Sequence, residues 1–482
     1  MRITEVRVIV TCPTRNYVVV KILTDEPGLY GVGDATLNGR ELAVAATLTE
    51  HIAPLLIGRD PDRIEDIWQM LFRGAYWRGG PVLMTALAGI DTALWDIKGK
   101  RAGMPVYSLL GGRTREGALA YTHAGGRDFV ETEDSVRKAM EQGFKVVRAQ
   151  VAIPGNIGTY GVGGAKEAAS ARWTAPVIPP TPRAPAEQGH ETDSPSPEVQ
   201  GEQGDEEAQE TRDKTQGKKG REKEKGKGKK QKAEPSPSSF SLPPSASPFG
   251  DGGPMPHMEV WEPAPYLRTI PRLFAHLRDK LGDEIELFHD VHERLTPIQA
   301  ARLARELEPY HLFFLEDCLR PEHKESFRLI RQHTTTPLAM GELFHTKWEC
   351  LPLLTEQLID YIRCDLGHIG GITEAKKIAA IAECYYIQTA WHGPGDIGPA
   401  THAANVHLDL AICNFGVQEM VAFSDAVHEV LPGAPTFHNG YLNVSDAPGL
   451  GVDVDEKAAA KYPYERAYLP NTRRADGAVM DW

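Results

Sequence analysis

Ile285-Glu-Leu-Phe-His-Asp290, His311-Leu-Phe-Phe-Leu-Glu316 and Thr336-Pro-Leu-Ala-Met-Gly-Glu342 are three short apolar runs, each closed by an acid. The acids stand 26 residues apart, and each run is followed by a polar turn and a stretch of helical period. That rhythm is the length of one strand-loop-helix-loop unit. In a closed parallel barrel, successive units bring the C-terminal ends of their strands together on one face. Asp290, Glu316 and Glu342 are therefore expected to converge there, as oxygen ligands for a hard cation such as Mg2+. One strand-end acid can simply cap the next helix. Three at matched spacing and matched strand position read as a metal site.

The same rhythm extends in both directions. Leu119 to His123 and Lys145 to Val151 read as earlier strands, and Leu358 to Arg363, Tyr386 to His392 and Phe415 to Glu419 as later ones. Eight strand candidates with helices between them predict an α/β fold, a modified (β/α)8 TIM-like barrel over residues 113–430. Residues 1–112 follow another pattern. Ile3 to Thr11 and Tyr17 to Leu23 alternate like strands, Gly31-Val-Gly33 reads as a turn, and Met84 to Lys98 has apolar residues three and four apart, as in a helix. Strands first and helices after make an α+β unit. Residues 431–482 are punctuated by Pro and Gly and are expected to pack back on the rest.

Residues 169–256 break the barrel pattern between its second and third strands. They are rich in Pro, Ser, Gly, Glu and Lys. Too few apolar groups are present to offset the entropy of ordering, so a disordered low-complexity insert is expected. The run from Lys214 to Lys232 reads as a solvated tether rather than a nucleic-acid patch.

Composition narrows the function classes. The 482 residues are 41% apolar and 25% charged, ordinary for a globular protein, and the net charge of −13 argues against a general nucleic-acid binder. Six scattered cysteines without a CxxC pair point to reduced thiols and a cytoplasmic setting. No apolar run reaches the roughly 18 residues of a membrane span, so no membrane partner is expected.

Several polar residues fall at strand ends or in loops beside them. Tyr160 lies in a Gly-rich loop after the second strand, which carries Arg148. A guanidinium in contact would favour the phenolate and make Tyr160 a better base, the alternative being a loop tyrosine that makes one hydrogen bond. His292, two residues past Asp290, is expected on the same side of its strand. His392 ends the seventh strand, with Asp396 close behind as a potential acid/base partner. Arg363 and Glu419 close the sixth and eighth strands, where they are placed to bind a substrate carboxylate or hydroxyls.

These residues sit in strings that resemble the enolase superfamily and, within it, the mannonate dehydratase (gluconate/mannonate dehydratase) family. The strings are Gly33-Asp-Ala-Thr-Leu-Asn-Gly-Arg-Glu41, Arg73-Gly-Ala-Tyr-Trp-Arg78, His289-Asp-Val-His-Glu-Arg-Leu-Thr-Pro297, Gln332-His-Thr-Thr-Thr-Pro-Leu-Ala339 and Asn414-Phe-Gly-Val-Gln-Glu419. The resemblance implies an N-terminal capping domain over a modified barrel, with Mg2+ on Asp290, Glu316 and Glu342. It implies that Tyr160 with Arg148 forms one acid/base unit and His292 another. It puts Asn38, His123, Arg363, His392, Asp396 and Glu419 around a small sugar acid. The expected reaction removes water from D-mannonate, D-gluconate or both, in a homo-oligomeric protein.

One motif departs from the family. His392-Gly-Pro394-Gly-Asp396 stands where many members resemble His-Gly-Ala-Thr-Asp, and Pro at this place looks like the subgroup with weak or mixed activity. A rival expectation is a regulatory homologue of starvation-sensing type that keeps the metal site. A racemase or cycloisomerase is disfavoured, because Lys145-Val-Val-Arg148 stands where those relatives carry Lys-x-Lys.

Overall fold

The computed structural model describes residues 1–156, 258–469 and 471–481. All of these fall within one packed unit. Tyr160 and the insert expected over 169–256 lie outside the described residues.

The chain begins with an antiparallel meander of β1 (Ile3–Thr11), β2 (Tyr17–Thr24) and β3 (Tyr30–Asp34). β2 is buried on both faces, and its alternation divides it between two cores. Val18, Val20 and Ile22 pack with Trp68, Met84, Leu87 and Ile90 of the following helices. Tyr17 and Val19 pack instead with Val430, Leu431, Val454 and Ala458 from the end of the chain. The helix Pro81–Ala102 starts with Pro in its first turn and is closed by Gly103 at φ 67°. Gly31 and Gly33 are strand residues, not the expected turn. A Cβ on Gly31 would lie 2.0 Å from Ala93 O, and one on Gly33 2.0 Å from Gly89 O. These glycines let this helix lie directly on the strand backbone.

The barrel strands follow: β4 (Ala118–Gly126), β5 (Val146–Val151), then β6 (Met258–Val260), which stands outside the barrel, and β7 (Glu286–Asp290), β8 (Leu315–Glu316), β9 (Leu338–Met340), β10 (Tyr361–Ile362), β11 (Gln388–Thr389) and β12 (Gln418–Glu419). β4, β5 and β7 to β11 pair in that order, all parallel, and β12 pairs with β4. A parallel bridge between Thr389 and Phe415 closes the ring. The result is the (β/α)8 barrel with a capping α+β unit. After it, β13 (Thr436–His438) and β14 (Tyr441–Asn443) form a hairpin that adds antiparallel to the start of β4, and β15 (Asn471–Arg473) pairs with β6. Among the described residues, no helix is long and apolar enough to cross a membrane.

The barrel interior is plugged by one layer of side chains: Tyr121, Val146, Phe288, Phe314, Ala339, Ala390 and Val417, with Tyr361 packed against them. Each barrel strand, or the residue next to it, contributes one. This layer is the floor on which the polar residues stand.

Candidate active site

Moving two residues up a strand returns to the same face. Two residues above the floor stand His123, Arg148, Asp290, Glu316, Arg363, His392 and Glu419. The fifth strand is the exception. Two above Ala339 is Gly341, at φ 139°, and the acid, Glu342, comes one residue later. Seven of the residues named from sequence thus share one layer by simple alternation, and Glu342 joins it through an added glycine.

The acids and cations of this layer are interleaved. Asp290 and Glu316 are register partners on neighbouring strands. Arg148 Nη1 donates to Asp290 Oδ2 at 3.0 Å. Burial alone would raise the Asp290 carboxyl, but the His292 and Arg148 charges hold it well below the usual range. Arg363 Nε lies 2.5 Å from Glu316 Oε1 and its Nη2 3.3 Å from Glu419 Oε2. Burial pushes Glu316 well up despite Arg363, with Asp290, Asp317 and Glu342 adding to the effect. Arg363 is fully buried. Its remaining amine donates to Ala390 O at 3.2 Å. The structure therefore places Arg363 as a bridge between two carboxylates, beneath the surface the sequence reading had given it for substrate.

The histidines have defined partners. His123 Nδ1 is 3.1 Å from Arg148 Nη2 and its Nε2 is 2.7 Å from Glu419 Oε1. An arginine can only donate, so Nδ1 accepts and Nε2 carries the proton. Burial and the Arg148 charge keep this imidazole neutral by lowering its pKa. Burial would raise Glu419, but the His123 bond and the His392 charge take it well below its usual value. His392 Nδ1 is 2.9 Å from Asp365 Oδ2, and its Nε2 is 3.5 Å from Glu342 Oε2. Burial opposes the charged ring, yet the Glu342 charge and the Asp365 bond raise His392 to about 10. A divalent ion among the acids would oppose that shift.

Two sequence expectations are corrected in their reasons. Asp365, not Asp396, is the acid beside His392. Asp365 sits two past Arg363, at the end of the sixth strand, and a parallel bridge joins it to His392. Asp396 instead accepts from Asn38 Nδ2 at 2.7 Å, joining the seventh-strand loop to the capping unit. His292 is brought to the acids by a turn, not by strand alternation. The strand ends at Asp290, and His292 and Glu293 take φ 56° and 66°. The His292 N–H donates to Asp290 Oδ1 at 2.8 Å, and its Nδ1 lies 3.3 Å from Asp290 Oδ2 and 3.9 Å from Glu342 Oε1.

A cavity of about 410 Å3 opens above this layer, within the usual range for a small-molecule site. Arg148 and His123 form one wall, and Asn38, Tyr17 and Arg15 of the capping unit face the loop Pro394–Asp396. Arg15 and Tyr17 were not singled out from sequence; only their place at the cavity marks them.

The residues present fit a hard cation. Glu316, Asp317 and Glu342 each offer an oxygen within 4.8 Å of the others. Glu316 Oε2 and Asp317 Oδ2 are buried and have no hydrogen-bond partner among the described residues. All-carboxylate donors suit Mg2+ or Mn2+. This tight trio differs from the expected one by including Asp317. The Asp290 carboxylate is engaged by Arg148 and His292.

Comparison with known proteins bears on the same site. Residues 257–458 match the enolase C-terminal domain-like family, and residues 5–111 the mandelate racemase/muconate lactonizing enzyme N-terminal domain. The chain is 44% identical to a D-mannonate dehydratase of Rhizorhabdus wittichii, over 100% of both chains. It is 45% identical to the D-galactonate dehydratase family member RspA of Cellvibrio japonicus, again over 100% of both. A crystal structure of a Pantoea ananatis enolase with bound D-gluconate and Mg matches with a TM-score of 0.77 at 42% identity, covering 100% of this chain and 99% of that one.

Proposed function

The chain belongs to the enolase superfamily, and from that premise we propose that it is a Mg2+-dependent dehydratase of sugar acids, acting on D-mannonate, D-gluconate or both. The product is 2-keto-3-deoxy-D-gluconate. Asp290, Glu316 and Glu342 are the proposed ligands. A divalent ion held there offsets the second negative charge that builds on the substrate carboxylate as C2 loses its proton.

The remaining work falls to this chain's side chains. His392 takes or holds a proton at Nε2, the ring atom that faces the acids, while Asp365 fixes the ring through Nδ1. Tyr160, assisted by Arg148, is the proposed base for the opposite epimer. His292 is the proposed acid: a proton delivered to the C3 hydroxyl lets it leave as water, and the enol then becomes the keto acid. Asn38 and Asp396 hold the cap edge over the substrate, and Glu419, oriented by the His123 Nε2 proton, accepts from its hydroxyls.

The observation that carries this reading is the meeting of two histidines with the acid cluster, each within 4 Å of Glu342. Incubation of the chain with Mg2+ and a panel of sugar acids, read by keto-acid formation with and without chelator, tests it. Chelator-sensitive turnover of mannonate or gluconate is expected. Saturating cation binding with no keto acid from any substrate overturns it.

A further inference from the structure

We propose that Asp317 is a fourth carboxylate of the cation centre, ligating the divalent ion beside Glu316 and Glu342. The inference rests on the cation reading above and adds a residue that the spacing rule skips, because Asp317 follows a strand-end acid instead of being one.

Four observations converge on it. Its carboxylate belongs to the only trio of acids among the described residues that each offer one oxygen within 4.8 Å of the others. The residue is 1% exposed. Its Oδ1 accepts from the Gly341 N–H at 3.2 Å, which ties it to the turn that delivers Glu342. Its Oδ2 has no partner among the described residues. A buried carboxylate oxygen without donor or cation is costly.

Charge points the same way. Asp290 has Arg148 at 3.0 Å and Glu316 has Arg363 at 2.5 Å. No arginine or lysine is paired with Asp317 or Glu342 among the described residues. Glu342 is faced by the His292 and His392 rings, and Asp317 is left without a cationic partner among the described residues, a place that a divalent ion would fill. The backbone supports the placement: Asp317 takes φ 39°, off the extended path on which its side chain would leave the barrel interior.

The test uses the full chain and Mn2+, with free Mn2+ followed by electron paramagnetic resonance. Asp317→Asn keeps the shape and the Gly341 contact but removes the charge. Its Kd for Mn2+ is expected to rise by roughly tenfold or more. A Kd equal to wild type overturns the proposal. Asp317→Cys asks the question without depending on the first variant's fold. If residue 317 touches the ion, the thiolate shifts preference from Mn2+ toward Cd2+. An unchanged ratio of Mn2+ to Cd2+ affinity also overturns it. Absence of Mn2+ binding by the wild-type chain overturns the cation reading itself, an outcome distinct from wild-type binding that Asp317→Asn leaves intact.

Discussion

Asp365 Oδ2 holds His392 Nδ1 at 2.9 Å from the end of the adjacent barrel strand. The carboxylate accepts the Nδ1 proton and leaves Nε2 facing Glu342 at 3.5 Å. An amide in place of Asp365 no longer selects that tautomer. Asp365→Asn is expected to lower kcat by about 10²-fold with Mn2+ affinity unchanged. Equal kcat in variant and wild type sinks the assignment.

Arg363 is the largest charged side chain fully buried in the barrel, between Glu316 and Glu419. Removing it leaves two buried carboxylates without their shared partner. Arg363→Met should destabilise the chain by about 3–5 kcal/mol, measured by urea unfolding without added metal. A loss under about 1 kcal/mol would show that the pair is not held by this charge.

His407 supplies a pH dependence away from the acids. Tyr107 N–H donates to its Nδ1 at 3.2 Å, and its Nε2 lies 3.2 Å from Leu450 O. Burial outweighs the Leu450 bond and lowers this histidine from 6.5 to about 4. Between those values the unfolded chain binds a proton that the folded chain does not. Stability from this group is full above pH 6.5 and is lost as pH falls toward 4, on the order of 3 kcal/mol. His407→Gln should flatten the dependence of unfolding free energy on pH across that window. An identical slope in the two proteins counts against it.

D-Mannonate and D-gluconate differ only at C2, so with the carboxylate held in place their α-protons face opposite walls. Arg148 lies on the second-strand wall and His392 on the seventh. Tyr160→Phe should abolish C2 proton exchange with mannonate in deuterated water, and His392→Asn should reduce it more for gluconate. Loss for both epimers in Tyr160→Phe, with none in His392→Asn, rejects the two-wall account.

Much of the site is legible in the chain because a strand's period is two. A buried hydrophobe such as Phe288, Phe314 or Val417 faces the barrel axis, so the polar residue two places on faces the mouth. The repeat of 26 residues between acids is likewise a local quantity, the length of a strand and its helix. Those two regularities suffice for the barrel and for most of the layer above its floor.

The rest depends on which strand ends meet. Asp396 stands four residues from His392 and Asp365 27 residues from it, and only the β10–β11 neighbourhood gives the ring to Asp365 while Asn38 of the capping unit takes Asp396. The burial of Arg363 follows from Glu316 and Glu419, 47 residues before it and 56 after it, closing over it. Gly31 and Gly33 read as a turn until a helix is laid on them. The sequence by itself determined the strand period, the unit length and the chemical types at the strand ends, because those are set by neighbouring residues. Only the tertiary structure decided the pairing of charges, since an ion pair depends on distance in space and the barrel brings together groups that the chain keeps far apart.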